Sequence, residues 1–151
     1  EGAGDLLGFP DYWFGGYRQR SDIRVFPIIS ERFHREIIPL ELVDSRFYHL
    51  DTCLCPLSGG ELLYFSEAFD PYGQAAIAER VSSGLRLAVS EDEALKFACN
   101  AVCIGKHVVL PSGCPATQSW LHDRGYETHT VYLDEFMKSG GSAKCLTLAL
   151  D

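Results

Sequence analysis

One pattern of secondary structure recurs along this chain about every 48 residues, and it limits the folds that the chain can adopt. Apolar alternation and turn residues predict strand, strand, helix and strand in each unit, with restarts near residues 1, 47, 97 and 145. A period in this range is typical of repeated units and propeller-like arrays. Because such units bury their inner faces against their neighbours, three units and the start of a fourth predict an incomplete ring with unpaired edges.

The predicted units cover residues 1–44, 46–95 and 97–138, and a closing strand follows at 144–150. The hydrophobic pattern predicts strands at 1–7, 11–17, 35–43, 46–55, 60–66, 85–89, 97–104, 106–110 and 128–133. It predicts helices at 22–34, 70–83 and 115–124, and shorter ones after Ser90 and at 134–138. Ser90 followed three residues later by Glu93 is a helix N-cap pattern. The predicted fold class is therefore α/β.

Composition excludes several classes of protein. With 151 residues, of which 46% are hydrophobic, the chain can bury a core of one-domain size. The formal net charge of -8, without a Lys/Arg-rich run, argues against nucleic acid or an anionic membrane as a partner. No apolar run reaches ~18 residues and no signal peptide opens the sequence, so the cytoplasm is the expected location. The first residue is not Met, and we expect a fragment or one half of a split protein.

The cysteines and most of the histidines are expected to be structural or surface residues. Because the six cysteines mostly lie in apolar strand-like runs, we expect reduced thiols. His49, Cys53 and Cys55 could share a strand face and bind zinc, but a fourth ligand at metal spacing is missing, so no metal is expected. The remaining histidines are predicted to lie on the surface, and they are His34, His107, His122 and His129.

The segment 46–55 contains a histidine and a carboxylate two residues apart. On a strand, His49 and Asp51 project to the same face, while Tyr48 and Leu50 project to the other. A lone histidine on a strand is more often a core residue, but the adjacent Asp51 favours a functional interpretation. The pair suits a site that binds a cation and moves a proton near neutral pH.

A second candidate is Cys145, the only cysteine preceded by a glycine-rich turn, at residues 139–144. A glycine pair lets the backbone approach a ligand closely. Because Cys145 and His49 are both predicted on the first strands of their units, a ring would bring them toward the same axis. Buried structure is the more common role of a cysteine, but a thiol beside an imidazole is the arrangement for nucleophilic catalysis.

The N-terminal segment supplies further candidates for charge pairing. Glu1 and Asp5 are acidic residues separated by small ones, and a carboxylate there could pair bidentately with a planar guanidinium. Arg20 is a candidate for binding the carboxylate of an amino-acid substrate. The alternative is that these are ordinary loop carboxylates and a solvated arginine.

Five segments, in this order, resemble the guanidino-group modifying superfamily. They are Glu1-Gly2-Ala3-Gly4-Asp5, Gly16-Tyr17 with Arg20-Ser21, Phe47-Tyr48-His49-Leu50-Asp51-Thr52, Phe97-Ala98-Cys99-Asn100-Ala101-Val102, and Gly140-Gly141-Ser142-Ala143-Lys144-Cys145-Leu146-Thr147. They look like the arginine dihydrolases and dimethylarginine dimethylaminohydrolases, proteins of the amidinotransferase and arginine deiminase type. One departure is Arg18-Gln19, where relatives have Gly-Phe. The resemblance covers nearly the whole chain and implies a five-bladed α/β propeller, of which this chain would be about the C-terminal three-fifths.

The resemblance also implies roles for the candidate residues. Cys145 is similar to the family nucleophile, and His49 is similar to its general acid and base. Glu1 is similar to the acidic residue that pairs with guanidinium and histidine, and Asp51 to the second guanidinium-binding carboxylate. Arg20 is similar to the residue that holds the substrate α-carboxylate. The resemblance requires no metal or organic cofactor.

These roles predict a hydrolase of guanidino C–N bonds that acts on arginine or a close derivative through a covalent amidino-thioether on Cys145. If an amine replaced water, the same residues would make an amidinotransferase. Citrulline, ornithine and a transferred amidine all stay open as products. The competing expectation is a non-catalytic piece that folds only with its missing N-terminal blades or as a homo-oligomer, and that is inactive alone.

Overall fold

The computed structural model describes residues 2–148 and contains three small sheets, each built from three consecutive strands. The first unit consists of β1 (Leu6–Gly8), β2 (Tyr12–Tyr17), α1 (Val25–Phe33) and β3 (Glu36–Glu41). The second consists of β4 (Leu54–Pro56), β5 (Leu62–Tyr64), α2 (Pro71–Arg80), β6 (Arg86–Ala88) and the short α3 (Glu91–Ala94). The third consists of β7 (Val102–Ile104), β8 (His107–Pro111), α4 (Pro115–His122), β9 (Glu127–Val131) and the short α5 (Asp134–Met137). Single 3-10 turns lie at Leu50–Thr52, Ser66–Ala68, Ser83–Leu85 and Lys144–Leu146.

All three units share one topology. The first two strands pair antiparallel, and the third strand joins the second in parallel after the intervening helix. A parallel pair needs such a crossover, because the chain must return to the same end of the sheet. The predicted order of strand, strand, helix and strand is therefore confirmed in each unit.

One hydrophobic cluster extends through all three sheets. Phe14 and Leu40 from the first sheet, Leu63 from the second, and Val108 and Leu110 from the third are all completely buried. Removing apolar area from water is the main favourable term in folding, so the three units share a single core instead of forming three separate ones.

Polar contacts join neighbouring units at their edges. The guanidinium of Arg80 at the end of α2 forms a two-pronged ion pair with Glu36 of β3, with N–O distances of 2.7 and 2.5 Å. The hydroxyl of Tyr126, in the third unit, donates to the carboxylate of Glu61 in the second unit at 2.5 Å. Each contact ties one unit to the next in the sequence.

Two helix starts follow from capping chemistry. The carboxylate of Asp70 accepts a hydrogen bond from the amide of Gly73 at 2.8 Å, and Pro71 occupies the first turn of α2. The hydroxyl of Ser90 accepts from the amide of Glu93 at 3.4 Å, which confirms the predicted N-cap of α3. A cap of this kind satisfies amides that have no partner inside the helix.

Several predicted strands are wrong over most of their length. Within the described residues, the predicted strand 1–7 begins only at Leu6. Three other failures also matter for the site. Residues 46–49 are irregular and Leu50–Thr52 form a 3-10 turn, so only residues 54 and 55 of the predicted strand 46–55 lie on a strand, β4. The predicted strand 97–104 begins only at Val102. Residues 144–146 form a 3-10 turn instead of a strand, and 149–150 lie outside the described residues.

Local hydrogen bonds explain the turn that replaces the strand at 49–52. The carbonyl of His49 accepts from the amide of Thr52 at 3.1 Å and from its hydroxyl at 2.6 Å. A threonine side chain that bonds backbone groups nearby offers the chain an alternative to a sheet ladder. His49 and Asp51 therefore do not share a strand face, and apolar pattern alone could not show this.

All six cysteines are free thiols, as predicted. Within residues 2–148, none of the helices has the length and apolar character that crossing a bilayer requires.

Candidate active site

The segment of His49 and Asp51 packs directly against the N-terminal glycine segment. The amide of Asp51 donates to the carbonyl of Gly4 at 2.9 Å. A Cβ atom at Gly4 would lie 3.1 Å from Nδ1 of His49 and 3.6 Å from Oδ2 of Asp51. The first of these distances is shorter than most contacts that Cβ atoms make in proteins. Glycine at position 4 therefore allows the imidazole and the carboxylate to lie side by side against the backbone.

The glycine-rich turn before Cys145 is held by Tyr48. The hydroxyl of Tyr48 donates to the carbonyl of Gly140 at 2.6 Å. Gly140 has a φ of 85°, which side chains rarely adopt, and a Cβ atom there would lie 3.1 Å from the tyrosine ring. The residue next to His49 thus fixes the turn that delivers the thiol.

Asn100 joins the two segments and is completely buried. Its side-chain amide donates to the carbonyl of Asp51 at 2.9 Å and to Sγ of Cys145 at 3.2 Å. Its side-chain oxygen accepts from the amides of Ser142 at 3.1 Å and Cys145 at 3.3 Å. A single side chain therefore sets the distance between the turn of Asp51 and the turn of Cys145.

The carboxylate of Asp51 is poorly compensated. Its Oδ2 lies 3.9 Å from Sγ of Cys145, and its Oδ1 is buried without a hydrogen-bond partner among the described residues. Burial raises the pKa of Asp51 to about 6, although the charges of His49 and Lys144 oppose the rise. An acceptor oxygen in this state is a strong site for a cationic donor.

The pKa of the partly exposed Cys145 thiol is higher than the ordinary value for cysteine. Burial raises its pKa, and the carboxylate of Asp51 raises it further, while hydrogen bonds from Ser142 and Asn100 act in the opposite direction. The thiolate is the nucleophilic form of cysteine. A positive charge placed between Cys145 and Asp51 would therefore activate the thiol.

These groups line one cleft of about 570 Å³. Its walls are formed by Ala3, Gly4, Tyr48, His49, Asp51, Lys144, Cys145, Thr147 and Leu148. The imidazole of His49, the carboxylate of Asp51 and the thiol of Cys145 therefore line the same cleft, as predicted. Turns bring them together, and not the predicted strands. The volume lies within the range of small-molecule sites.

Comparison with known proteins gives one consistent result. No family model matches the chain. The bifunctional arginine dihydrolase/ornithine cyclodeaminase ArgZ of Synechocystis sp. is 42% identical over 150 residues, which is 98% of this chain and 21% of that protein. The N(G),N(G)-dimethylarginine dimethylaminohydrolase of Mycobacterium tuberculosis is 37% identical over 150 residues, 99% of this chain and 49% of that protein.

A crystal structure of the N-terminal domain of cyanobacterial ArgZ superimposes with a TM-score of 0.96 and 41% identity, over 98% of this chain and 55% of that one. This chain is homologous to a part of these arginine dihydrolase and dimethylarginine dimethylaminohydrolase proteins. It spans about one fifth of the bifunctional relative and about half of the dimethylaminohydrolase.

The other residues to which the superfamily resemblance gave a role lie at different places. Arg20 stacks its guanidinium over the ring of Tyr48 at 5.3 Å, against the wall of the cleft. Glu1 lies outside the described residues. Cys53 and Cys55, considered as zinc ligands with His49, are buried and donate to the backbone carbonyls of Leu50 and Ala101.

Asp5, predicted to contact substrate, is 1% exposed. Its carboxylate accepts from the hydroxyl of Ser21 at 2.7 Å and from the amide of Leu50 at 2.9 Å. These bonds hold the loop after β2 and the 3-10 turn of Asp51 in register. The contacts favour a role for Asp5 in positioning the turn that carries Asp51.

Three contributors to the site carry little functional signal of their own in the sequence, and they are Tyr48, Asn100 and Lys144. A strand at 46–55 would place Tyr48 on the face opposite His49. A buried asparagine carries no periodic signal, since its importance comes from partners that are 42 to 49 positions away in the chain. The available sequence signal for Asn100 is that a polar residue follows Cys99 in the otherwise apolar segment 97–102.

Proposed function

We propose that the protein containing this chain hydrolyses a guanidino C–N bond of arginine or a close derivative through a covalent intermediate on Cys145. The observation that carries the proposal is the buried Oδ1 of Asp51, which lacks a hydrogen-bond partner among the described residues and lies in the cleft beside a thiol and an imidazole. A guanidinium is planar, carries five N–H donors and pairs bidentately with carboxylates. It satisfies Asp51 and adds the positive charge that the thiol needs.

The first half-reaction starts when the bound guanidinium lowers the pKa of Cys145, and the thiol transfers its proton to His49. The thiolate attacks the guanidinium carbon, a C–S bond forms, and a C–N bond breaks. His49 donates a proton to the departing nitrogen, which leaves as an amine or ammonia. The product of this step is an amidino-thioether on Cys145.

In the second half-reaction, the neutral His49 takes a proton from water, and the hydroxide attacks the same carbon. The C–S bond breaks and the thiolate is released. Asp51 holds the charged group through both steps. Glu1 is proposed as the second carboxylate of the clamp, and Arg20, at the wall formed by Tyr48, as the group that binds the substrate carboxylate.

The relatives support this chemistry. The N-terminal domain of ArgZ was crystallised with substrate as a cysteine-to-serine variant, and another variant of it was crystallised with a covalently bound reaction intermediate. Because this chain covers about half of that domain, we propose that further units outside these residues complete a five-bladed α/β propeller. In that arrangement the three units described here form its C-terminal part.

The test uses the full-length protein with arginine, and follows ammonia, citrulline and ornithine by chromatography. We expect one ammonia with citrulline when the cycle runs once, or two ammonia and carbon dioxide with ornithine when citrulline is hydrolysed in a second cycle, and the loss of these products in Cys145→Ser. Mass spectrometry of the quenched reaction should show an adduct on the peptide that contains Cys145. Cys103→Ser is the matched control, because Cys103 is a half-buried thiol on β7 outside the cleft. Full turnover by Cys145→Ser would contradict the proposal.

A further inference from the structure

A second group of convergent side chains lies on the third sheet, away from the cleft residues. It consists of His107 on β8 and of Glu127 and His129 on β9. His107 pairs with Glu127 in the parallel register, and Val109 pairs with His129. Since residues two apart on a strand share a face, and register partners are neighbours, the three side chains stand together on one face of the sheet.

The distances between their ligand atoms fit a small cation. Nδ1 of His107 lies 3.1 Å from Nε2 of His129, and 3.6 Å from a carboxylate oxygen of Glu127. The other carboxylate oxygen lies 3.5 Å from Nε2 of His129. Ligands at about 2.05 Å from a tetrahedral zinc ion are separated by about 3.3 Å, which lies between these values.

We propose that His107, Glu127 and His129 form a binding site for a divalent transition-metal ion of the zinc class. Two imidazoles and one carboxylate are a ligand set that zinc prefers, and three protein ligands leave a fourth position for water. The side chains are 46–66% exposed, so the ion can enter directly from solvent. Both histidines lie on the surface, as their sequence settings predict.

The local charges favour a cation at this corner of the sheet. In the described part of the chain, the ion pairs of Glu127 are with the two histidines only. The nearby Lys106 instead lies over the ring of Tyr126 at 4.1 Å. Glu127 belongs to the first register pair of the parallel strands in the third sheet, and Glu36 holds the same position in the first sheet. The carboxylate of Glu36 forms an ion pair with the guanidinium of Arg80. A metal ion would fill the corresponding place in the third sheet.

The alternative to a metal site is a direct hydrogen bond between the imidazoles of His107 and His129. The 3.1 Å contact then needs one ring to donate an N–H to the other ring's lone pair. In the metal site both facing nitrogens present lone pairs, and the ion lies between them. The metal site predicts that one zinc ion binds per chain and that binding weakens when any of the three side chains is replaced. The hydrogen-bonded pair predicts no such binding.

The experiment is calorimetric titration of the full-length protein with Zn²⁺. The thiol of Cys145 is itself a zinc ligand, so every protein carries Cys145→Ala to remove that site. The test variants are His107→Ala, His129→Ala and Glu127→Gln. The control is His122→Ala, which removes an exposed imidazole on α4 that bonds Thr128 and lies outside the cluster.

We expect one zinc ion per chain in the Cys145→Ala background and in the control. Each of the three test variants should bind at least about tenfold more weakly, as is typical when a group that supports a metal site is removed. Melting curves without metal should coincide for all variants, because the altered side chains are exposed. Absence of zinc binding in the background protein, or binding that survives all three substitutions, would overturn the proposal.

Discussion

Asp51 offers the sharpest test of how the candidate site works, because its charge should help catalysis and harm stability. The side chain is 6% exposed, and burial raises its pKa from 3.8 to about 6. A rise of about 2 in pKa corresponds to about 3 kcal/mol of free energy against the ionised form in the folded state. We therefore predict that Asp51→Asn stabilises the protein at pH 8 by up to about 3 kcal/mol.

The sign follows from linkage. Because the folded-state pKa of Asp51 exceeds its unfolded value, the unfolded chain releases this proton first as the pH rises above 3.8. Wild-type stability therefore falls between about pH 4 and pH 6, while the asparagine variant carries no such loss. The advantage of Asp51→Asn should be about half developed at about pH 5, complete by about pH 8, and nearly absent below about pH 3.

The assay is urea denaturation of the full-length wild type and variant at pH 5 and pH 8, with turnover of arginine measured in parallel. Turnover should fall by about 10²–10³-fold, since the preorganised charge for the guanidinium is gone. Asp44→Asn is a control of opposite sign, because Arg46 lowers the pKa of Asp44. That variant should lose stability at neutral pH, and the loss should vanish as Asp44 is protonated. A destabilised or pH-independent Asp51→Asn would refute the electrostatic reasoning.

Three further predictions concern groups that hold the site and the fold. Asn100→Ala should lower kcat by about a hundredfold with little change in KM, because Asn100 positions the thiol and does not line the cleft; Asn100→Asp should move the pH profile of Cys145 alkylation upward. Glu93→Ala should lower the free energy of unfolding by about 3 kcal/mol, and Glu93→Gln should lower it by less. The carboxylate of Glu93 is 6% exposed and accepts three hydrogen bonds at the start of α4, from two backbone amides and from the hydroxyl of Thr117. Arg18→Gly should melt at a higher temperature than Arg18→Ala, because both variants lose the ion pair with Glu41 but glycine alone relieves the strain of a φ of 90°, by about 1 kcal/mol. Equal effects of the two Arg18 variants, a large KM change in Asn100→Ala, or a silent Glu93→Ala would contradict these arguments.

The repeat and the caps were predictable because their causes are local. Apolar alternation and turn residues lie within a few positions of one another, so the order of strands and helices in each unit and the Ser90 cap could be predicted from the sequence. The strand predicted at 46–55 failed because of one local hydrogen bond and one between distant segments. The hydroxyl of Thr52 donates to the carbonyl of His49, and the amide of Asp51 donates to the carbonyl of Gly4. The pattern of apolar residues does not reveal such hydrogen bonds.

The amino-acid sequence by itself determined which chemical groups this protein has and the order in which its units repeat. Only the tertiary structure decided which of those groups meet. Asn100 reaches Asp51 and Cys145, Tyr48 reaches Gly140, and His107 reaches His129, all through contacts between segments that lie 22 to 92 positions apart. The physical reason is that close packing of the shared core fixes where each turn lies, and the interactions of a side chain depend on that position.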